Sequence, residues 1–123
     1  MKKVSVTNKT RNKNNIIKAK LCNTFLYKLR GYMFYEKIYE DEGLLFVEDF
    51  ESRINTAIHM LFMKFDLAII WINSHNIIVD KRLAKRWRPF YISAKAAKYT
   101  LETHKNRLGD FQVNDELVFK EIN

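Results

Sequence analysis

The apolar residues of this chain come in short runs separated by turn-forming ones, and that spacing constrains the fold more than any other feature. Leu44-Leu45-Phe46-Val47, introduced by Gly43, is too short for a helix and reads as a buried strand. The longest apolar region, Ile54 to Ile72, carries Lys64 and Asp66 in its middle, which divides it into two strands over about 55–63 and 66–72. Ser74-His75-Asn76 then turns the chain into Ile77-Ile78-Val79, forming a hairpin with residues 68–72. Near the N-terminus, Val4 and Val6 alternate with polar neighbours, residues 9–15 are turn-prone, and Ile16 to Cys22 is β-compatible, so a second hairpin is expected. Asn23 or Thr24 caps a short helix with Phe25, Leu26 and Leu29 at helical spacing, and Gly31 stops it. Residues 81–90 combine charge, an aromatic ring and the only proline, the pattern of a surface connection. A strand over 96–103, a helical turn over 105–109 and a closing strand over 116–119 complete the reading. The expected fold is mainly β, a barrel or sandwich with one or two short helices.

A chain of 123 residues has the size of one ordinary domain, and 47% apolar residues with 14% aromatics are enough to fold it. The 22 basic residues against 14 acidic ones give a formal charge of +8, which favours an anionic partner, nucleic acid or acidic protein. The abundance of Lys, Asn and Ile offers a purely compositional account of the same charge. A single cysteine, Cys22, excludes an internal disulfide framework and fits a reducing compartment. No segment approaches the roughly 20 apolar residues of a membrane span, and none has signal-peptide character, so a cytoplasmic location is expected.

Six segments carry a likeness to a known family: Arg30-Gly31-Tyr32-Met33-Phe34, Gly43-Leu44-Leu45-Phe46, Ile58 to Met63, Trp87-Arg88-Pro89, Ala97 to Glu102, and Val113-Asn114-Asp115. In order and spacing they resemble the prokaryotic family called domain of unknown function 192, over about residues 4–119. The resemblance implies a compact, jelly-roll-like β fold with a short helix between early strands, and no established activity. Many members of that family are exported, whereas this chain is expected to be cytoplasmic. Tyr32 replaces a family Leu, and Asn114-Asp115 a family Gly-Asp. Phe65-Asp66-Leu67-Ala68 aligns with a family Pro-Ile-Asp step, so the family's acid falls on Ala68. Asp66, about 7 Å away on the same strand face, is the candidate replacement.

Among candidate sites, Glu102 stands out as a carboxylate in an apolar strand, and burial would demand a partner. Arg30, beside a glycine that permits close approach, is the expected one, either as a fold-stabilising ion pair or as part of an acid–base site. His59 lies between apolar neighbours where the family often has Trp. Arg30, His59, Met60, Asp66 and Glu102 form the ligand-binding candidates, with Glu102, Asp66 and His59 as the candidate catalytic set of a small hydrolase or isomerase. The histidines His59, His75 and His104 follow no metal-binding spacing, so no metal or cofactor is expected. Cys22 has no nucleophile motif around it, and three scattered glycines make no phosphate loop. Lys81, Arg82, Lys85, Arg86 and Arg88 surround Trp87, the combination that single-stranded nucleic-acid sites use. The alternative is a solvated connection with Trp87 tucked into the domain. The leading expectation is a non-enzymatic binding or accessory module, with nucleic-acid binding through residues 81–91 and the small enzyme as alternatives.

Overall fold

The structure is a computed structural model and describes residues 2–11 and 16–122. Seven strands, β1 (Lys3–Asn8), β2 (Ile17–Cys22), β3 (Glu42–Ser52), β4 (Leu67–Ile72), β5 (Ile78–Ala84), β6 (Ala97–His104) and β7 (Leu117–Ile122), form one sheet in the order β5-β4-β6-β3-β2-β1-β7. Among the described residues one α-helix, α1 (Phe25–Arg30), follows β2, and a 3-10 helix spans Lys105–Asp110. Neighbouring strands are antiparallel except β2 and β3. That parallel pair needs a crossover, which residues 23–41 supply through α1.

The sheet buries both faces, because side chains alternate along each strand. Cys22, Leu44, Phe46, Leu67, Ile69 and Trp71 project into one core, where Tyr32, Ile38, Met60, Met63 and Tyr91 join them from the loops. Val4, Val6, Ile17, Leu45, Ile70, Leu101 and Leu117 project into a second core on the other face. Strand β4 divides its residues between the two and is buried at all six positions, which is why Leu67 to Ile72 reads as an unbroken apolar run. Around the second core the outer strands approach each other. Ile77 and Glu116 form an isolated bridge, and the N–H groups of Ile78 and Leu117 donate to the carbonyls of Asp115 and Asn76. The Val113-Asn114-Asp115 segment serves this junction. Asn114 takes a left-handed φ of 80°, and Asp115 Oδ2 accepts from Asn8 Nδ2 at 2.8 Å, Arg11 Nε at 2.7 Å and the Gln112 N–H at 3.0 Å.

Both expected hairpins form, as do the capped helix, the strand at Leu44 to Val47 and the closing strand; residues 12–15 of the first turn lie outside the described residues. Two segments differ. Residues 55–63 are not a strand: Met60 and Met63 enter the first core singly from an irregular loop tied to the 85–91 segment by one bridge, Ile58 to Tyr91, and by Met60 to Arg88 and Trp87 hydrogen bonds. Residues 81–84, expected as a connection, continue β5. As an edge strand, β5 tolerates the charges of Lys81 and Arg82.

A cavity floored by Glu102

Helix α1 stands on the first-core side of the sheet and is fastened there by polar contacts. Thr24 Oγ1 accepts from the Tyr27 N–H, capping the helix, and the Gly31 N–H closes it on the Tyr27 carbonyl at 3.0 Å. Lys28 pairs with Glu48 of β3. His59 Nδ1 accepts from the Leu61 N–H at 3.2 Å, which assigns the ring proton to Nε2, and Nε2 donates to the Leu29 carbonyl at 2.9 Å. The apolar side of α1 is therefore not its anchor. Phe25, Leu26 and Leu29 are all exposed.

Gly31 follows with φ 47° and ψ −128°, a conformation that side chains disfavour. A Cβ there would lie 3.2 Å from Glu102 Oε1 and 3.5 Å from Phe46 Cζ, so the missing side chain lets the backbone cross close to the carboxyl group. Between the end of α1, residues 55–59 and the sheet lies a cavity of about 510 Å³ including its open mouth. Leu29, Met33, Phe46 and Met63 give it apolar walls, and Glu102 lies at its base beside Thr100.

Glu102 is 6% exposed. Its strand partners in register, Leu44 and Ile69, both face the first core, so its side chain does too. Among the described residues the side chain has no hydrogen-bond or ion-pair partner, and burial pushes its carboxyl up to about 8. No sealed side-chain oxygen or nitrogen among those residues lacks a partner, so the carboxyl reaches the solvent of the cavity. Burial without a cation favours the neutral carboxyl, and in that form Glu102 offers a hydrogen-bond donor to the cavity. The adjacent Cys22 thiol is pushed up to about 11 by burial and by the Glu102 charge, and the Tyr32 phenol is raised by burial and by Glu42 and Glu102. Cys22 is accordingly expected to resist thiol–disulfide exchange: at pH 7.5, native protein should react with a disulfide reagent at least 100-fold more slowly than urea-unfolded protein. Equal rates would place the thiol outside the core.

Only part of the expected set converges here. Arg30 and His59 line the cavity with Glu102, but Arg30 does not pair with it: the guanidinium lies over the Tyr35 ring, 5.9 Å from its centroid, where it stays hydrated. Met60 is sealed in the core and reaches no ligand. Asp66 lies elsewhere, in a depression with Ile38, Phe65 and His104, accepting from the Arg86 N–H at 2.9 Å with Lys85 and Arg86 cations at 3.8 Å. Ala68 shares the second-core face with Ile70 and Ile72, whereas Asp66 sits beside Ile38 and Phe65, which pack on the first core, so Asp66 does not stand in for an acid at Ala68. The basic segment is also divided. Lys81 Nζ donates to the Leu108 carbonyl, Lys85 and Arg86 share Asp66, and Arg82 and Arg88 are exposed. Trp87, expected under one reading to tuck inward, is 56% exposed. The Lys28–Glu48 pair and the His59 tether had no signal in the sequence, since each depends on where the crossover lands.

The comparisons with known proteins fall into line with this architecture. A family model described as DUF192, Uncharacterized ACR, matches residues 6–119. The UPF0127 protein of Thermococcus kodakarensis is 40% identical over 97 residues, 79% of this chain and 60% of that one. The UPF0127 protein of Pyrococcus furiosus is 36% identical over 95 residues, 77% of this chain and 78% of that one. The chain thus spans less than two thirds of the first of these relatives. Among solved structures, a protein of unknown function from Novosphingobium aromaticivorans aligns with TM-score 0.77 at 19% identity, covering 94% of this chain and 83% of that one. A putative transcription regulator from Sinorhizobium meliloti aligns with TM-score 0.81 at 16% identity, covering 96% and 92%. These two likenesses carry the fold alone.

Proposed function

We propose, for a chain that belongs to the domain of unknown function 192 family, a non-enzymatic module that binds a small neutral ligand in the cavity above Glu102. The single observation that carries this reading is the buried, unpartnered carboxyl at the cavity floor. A protonated acid in apolar surroundings offers one strong donor, and a ligand with a carbonyl or hydroxyl oxygen would satisfy it while covering the Phe46 and Met63 walls. Acid–base catalysis fits less well. It needs a second titrating group in reach, whereas both His59 nitrogens are engaged with backbone, and the Cys22 thiol is held neutral. The finer reading of the fold, a jelly-roll-like barrel, draws support from the Ile77–Glu116 bridge between the outer strands.

The test is a screen of small neutral carbonyl and hydroxyl compounds by amide NMR at pH 6.5. Shifts should cluster at Gly31, Thr56, Ala57 and Thr100. Binding should survive Glu102→Gln, which keeps a donor, and weaken about tenfold or more in Glu102→Leu, which removes it. If the compounds that shift these amides are all cations needing pH above 8, the neutral-ligand reading is wrong.

A further inference from the structure

Five non-glycine residues among those described have left-handed backbone: Phe34 (φ 67°), Phe62 (φ 60°), Asn76, Trp87 (φ 69°) and Asn114. The two asparagines are of the type that tolerates this region, and a bulky aromatic there is a costly outlier. The three aromatic outliers, from three separate loops, meet. Phe34 and Phe62 stack with centroids 5.3 Å apart and planes 29° apart, and Trp87 meets Phe62 edgewise at 5.2 Å. Backbone bonds hold the loops in place: the Phe34 N–H donates to the Phe62 carbonyl at 3.1 Å, and the Trp87 N–H to the Met60 carbonyl at 2.7 Å. All three rings are exposed. Left-handed backbone, mutual ring contact and exposure thus coincide at all three residues.

Basic residues adjoin two of the three rings in the chain. Arg86 and Arg88 flank Trp87, and Lys64 follows Phe62 by two residues. Glu36 and Asp66 engage Lys64 and Arg86, while Arg88 has no acidic partner among the described residues, in a chain of net charge +8. From this juxtaposition we infer that Phe34, Phe62 and Trp87 form a stacking platform for unpaired bases, with Arg88 beside the phosphates, so that the protein binds single-stranded nucleic acid. Flat π faces joined by regularly spaced negative charge match exposed rings beside excess cations, whereas an apolar protein surface would gain nothing from the charge. The site is separate from the Glu102 cavity and stands whether or not that cavity binds a ligand.

Trp71 is sealed and Trp87 is exposed, so Trp87 is the solvent-facing fluorophore. Titrating the protein with 12-residue dT and rU oligomers at 50 mM salt should quench its emission. Either oligomer, or both, quenching supports the platform, and the comparison separates DNA from RNA. By fluorescence polarisation, Trp87→Ala and Phe62→Ala should each weaken binding roughly 5- to 100-fold with the melting temperature nearly unchanged for Trp87→Ala. Arg88→Ala should reduce the salt slope by about 1. Absence of oligonucleotide binding at 50 mM salt overturns the inference. So does equal binding by wild type and both ring variants, which would mean attraction by bulk charge alone.

Discussion

Glu102→Gln is expected to become more stable than the wild-type protein as pH rises, and to differ little from it near pH 5. The carboxyl titrates near 4.5 when unfolded and is pushed to about 8 by burial in the folded chain. Below 4.5 it is protonated in both states and favours neither. Between about 4.5 and 8 the unfolded chain releases a proton that the folded chain retains, so each rise in pH favours unfolding. Above 8 the folded state bears the buried charge, and the accumulated loss is on the order of 5 kcal/mol as an upper figure. That is a large fraction of the roughly 5–15 kcal/mol that holds a domain folded. Glutamine has nearly the same shape and cannot ionise. The neighbouring thiol of Cys22 is held protonated through this window. Burial alone would raise Asp115, but hydrogen bonds from Asn8, Arg11 and Gln112 hold it low, so its contribution is lost only as pH falls. Urea midpoints at pH 5, 7 and 8.5 should converge at the first pH and separate at the last. Parallel curves for the two proteins would mean that Glu102 is ionised and partnered in solution.

The strands were legible where apolar residues made runs long enough to fill a pleated face. Leu67 to Ile72 faces two cores, so every position is apolar and the strand announces itself. Residues 81–84 were hidden because an edge strand carries charge on a surface that pairs on one side only. Residues 55–63 misled in the opposite direction. Met60 and Met63 are as apolar as strand residues, but a loop delivers them to the core, and nothing local distinguishes the two arrangements. The helix was legible from Thr24 and Gly31, while the exposure of Phe25, Leu26 and Leu29 was not, because their helical spacing reads the same whether or not a core lies opposite. Glu102 was visible as a charge inside an apolar strand. Its lack of a partner depends on Arg30 resting over Tyr35, a side-chain choice that no spacing encodes. The aromatic cluster needed the three-dimensional structure, since Phe34, Phe62 and Trp87 are far apart in the chain and are marked as a set by their ring contacts together with a left-handed φ.

Trp71→Ala is expected to cost about 3–5 kcal/mol, lowering the melting temperature by roughly 10–20 °C, and to open the Glu102 cavity. The indole is sealed in the first core, where its removal leaves a void, and its Nε1 donates to the Thr56 carbonyl at 2.8 Å. Thr100 Oγ1 reaches the same carbonyl at 3.4 Å, a longer bond that holds it less firmly. Thr56, Ala57 and Ile58 make one wall of the cavity, so Trp71 ties that wall to β4 of the central sheet. Trp71→Phe should separate the two contributions. It keeps most of the ring volume and loses the hydrogen bond, and should cost about 1–2 kcal/mol while freeing the Thr56 segment. Urea unfolding followed by circular dichroism gives the energies, and hydrogen exchange at residues 55–59 reports the wall. In Trp71→Phe these amides should exchange faster while those of β4 and β6 remain protected. If exchange rises equally across the sheet, or if Trp71→Ala costs less than about 1 kcal/mol, the wall is held by something other than this ring.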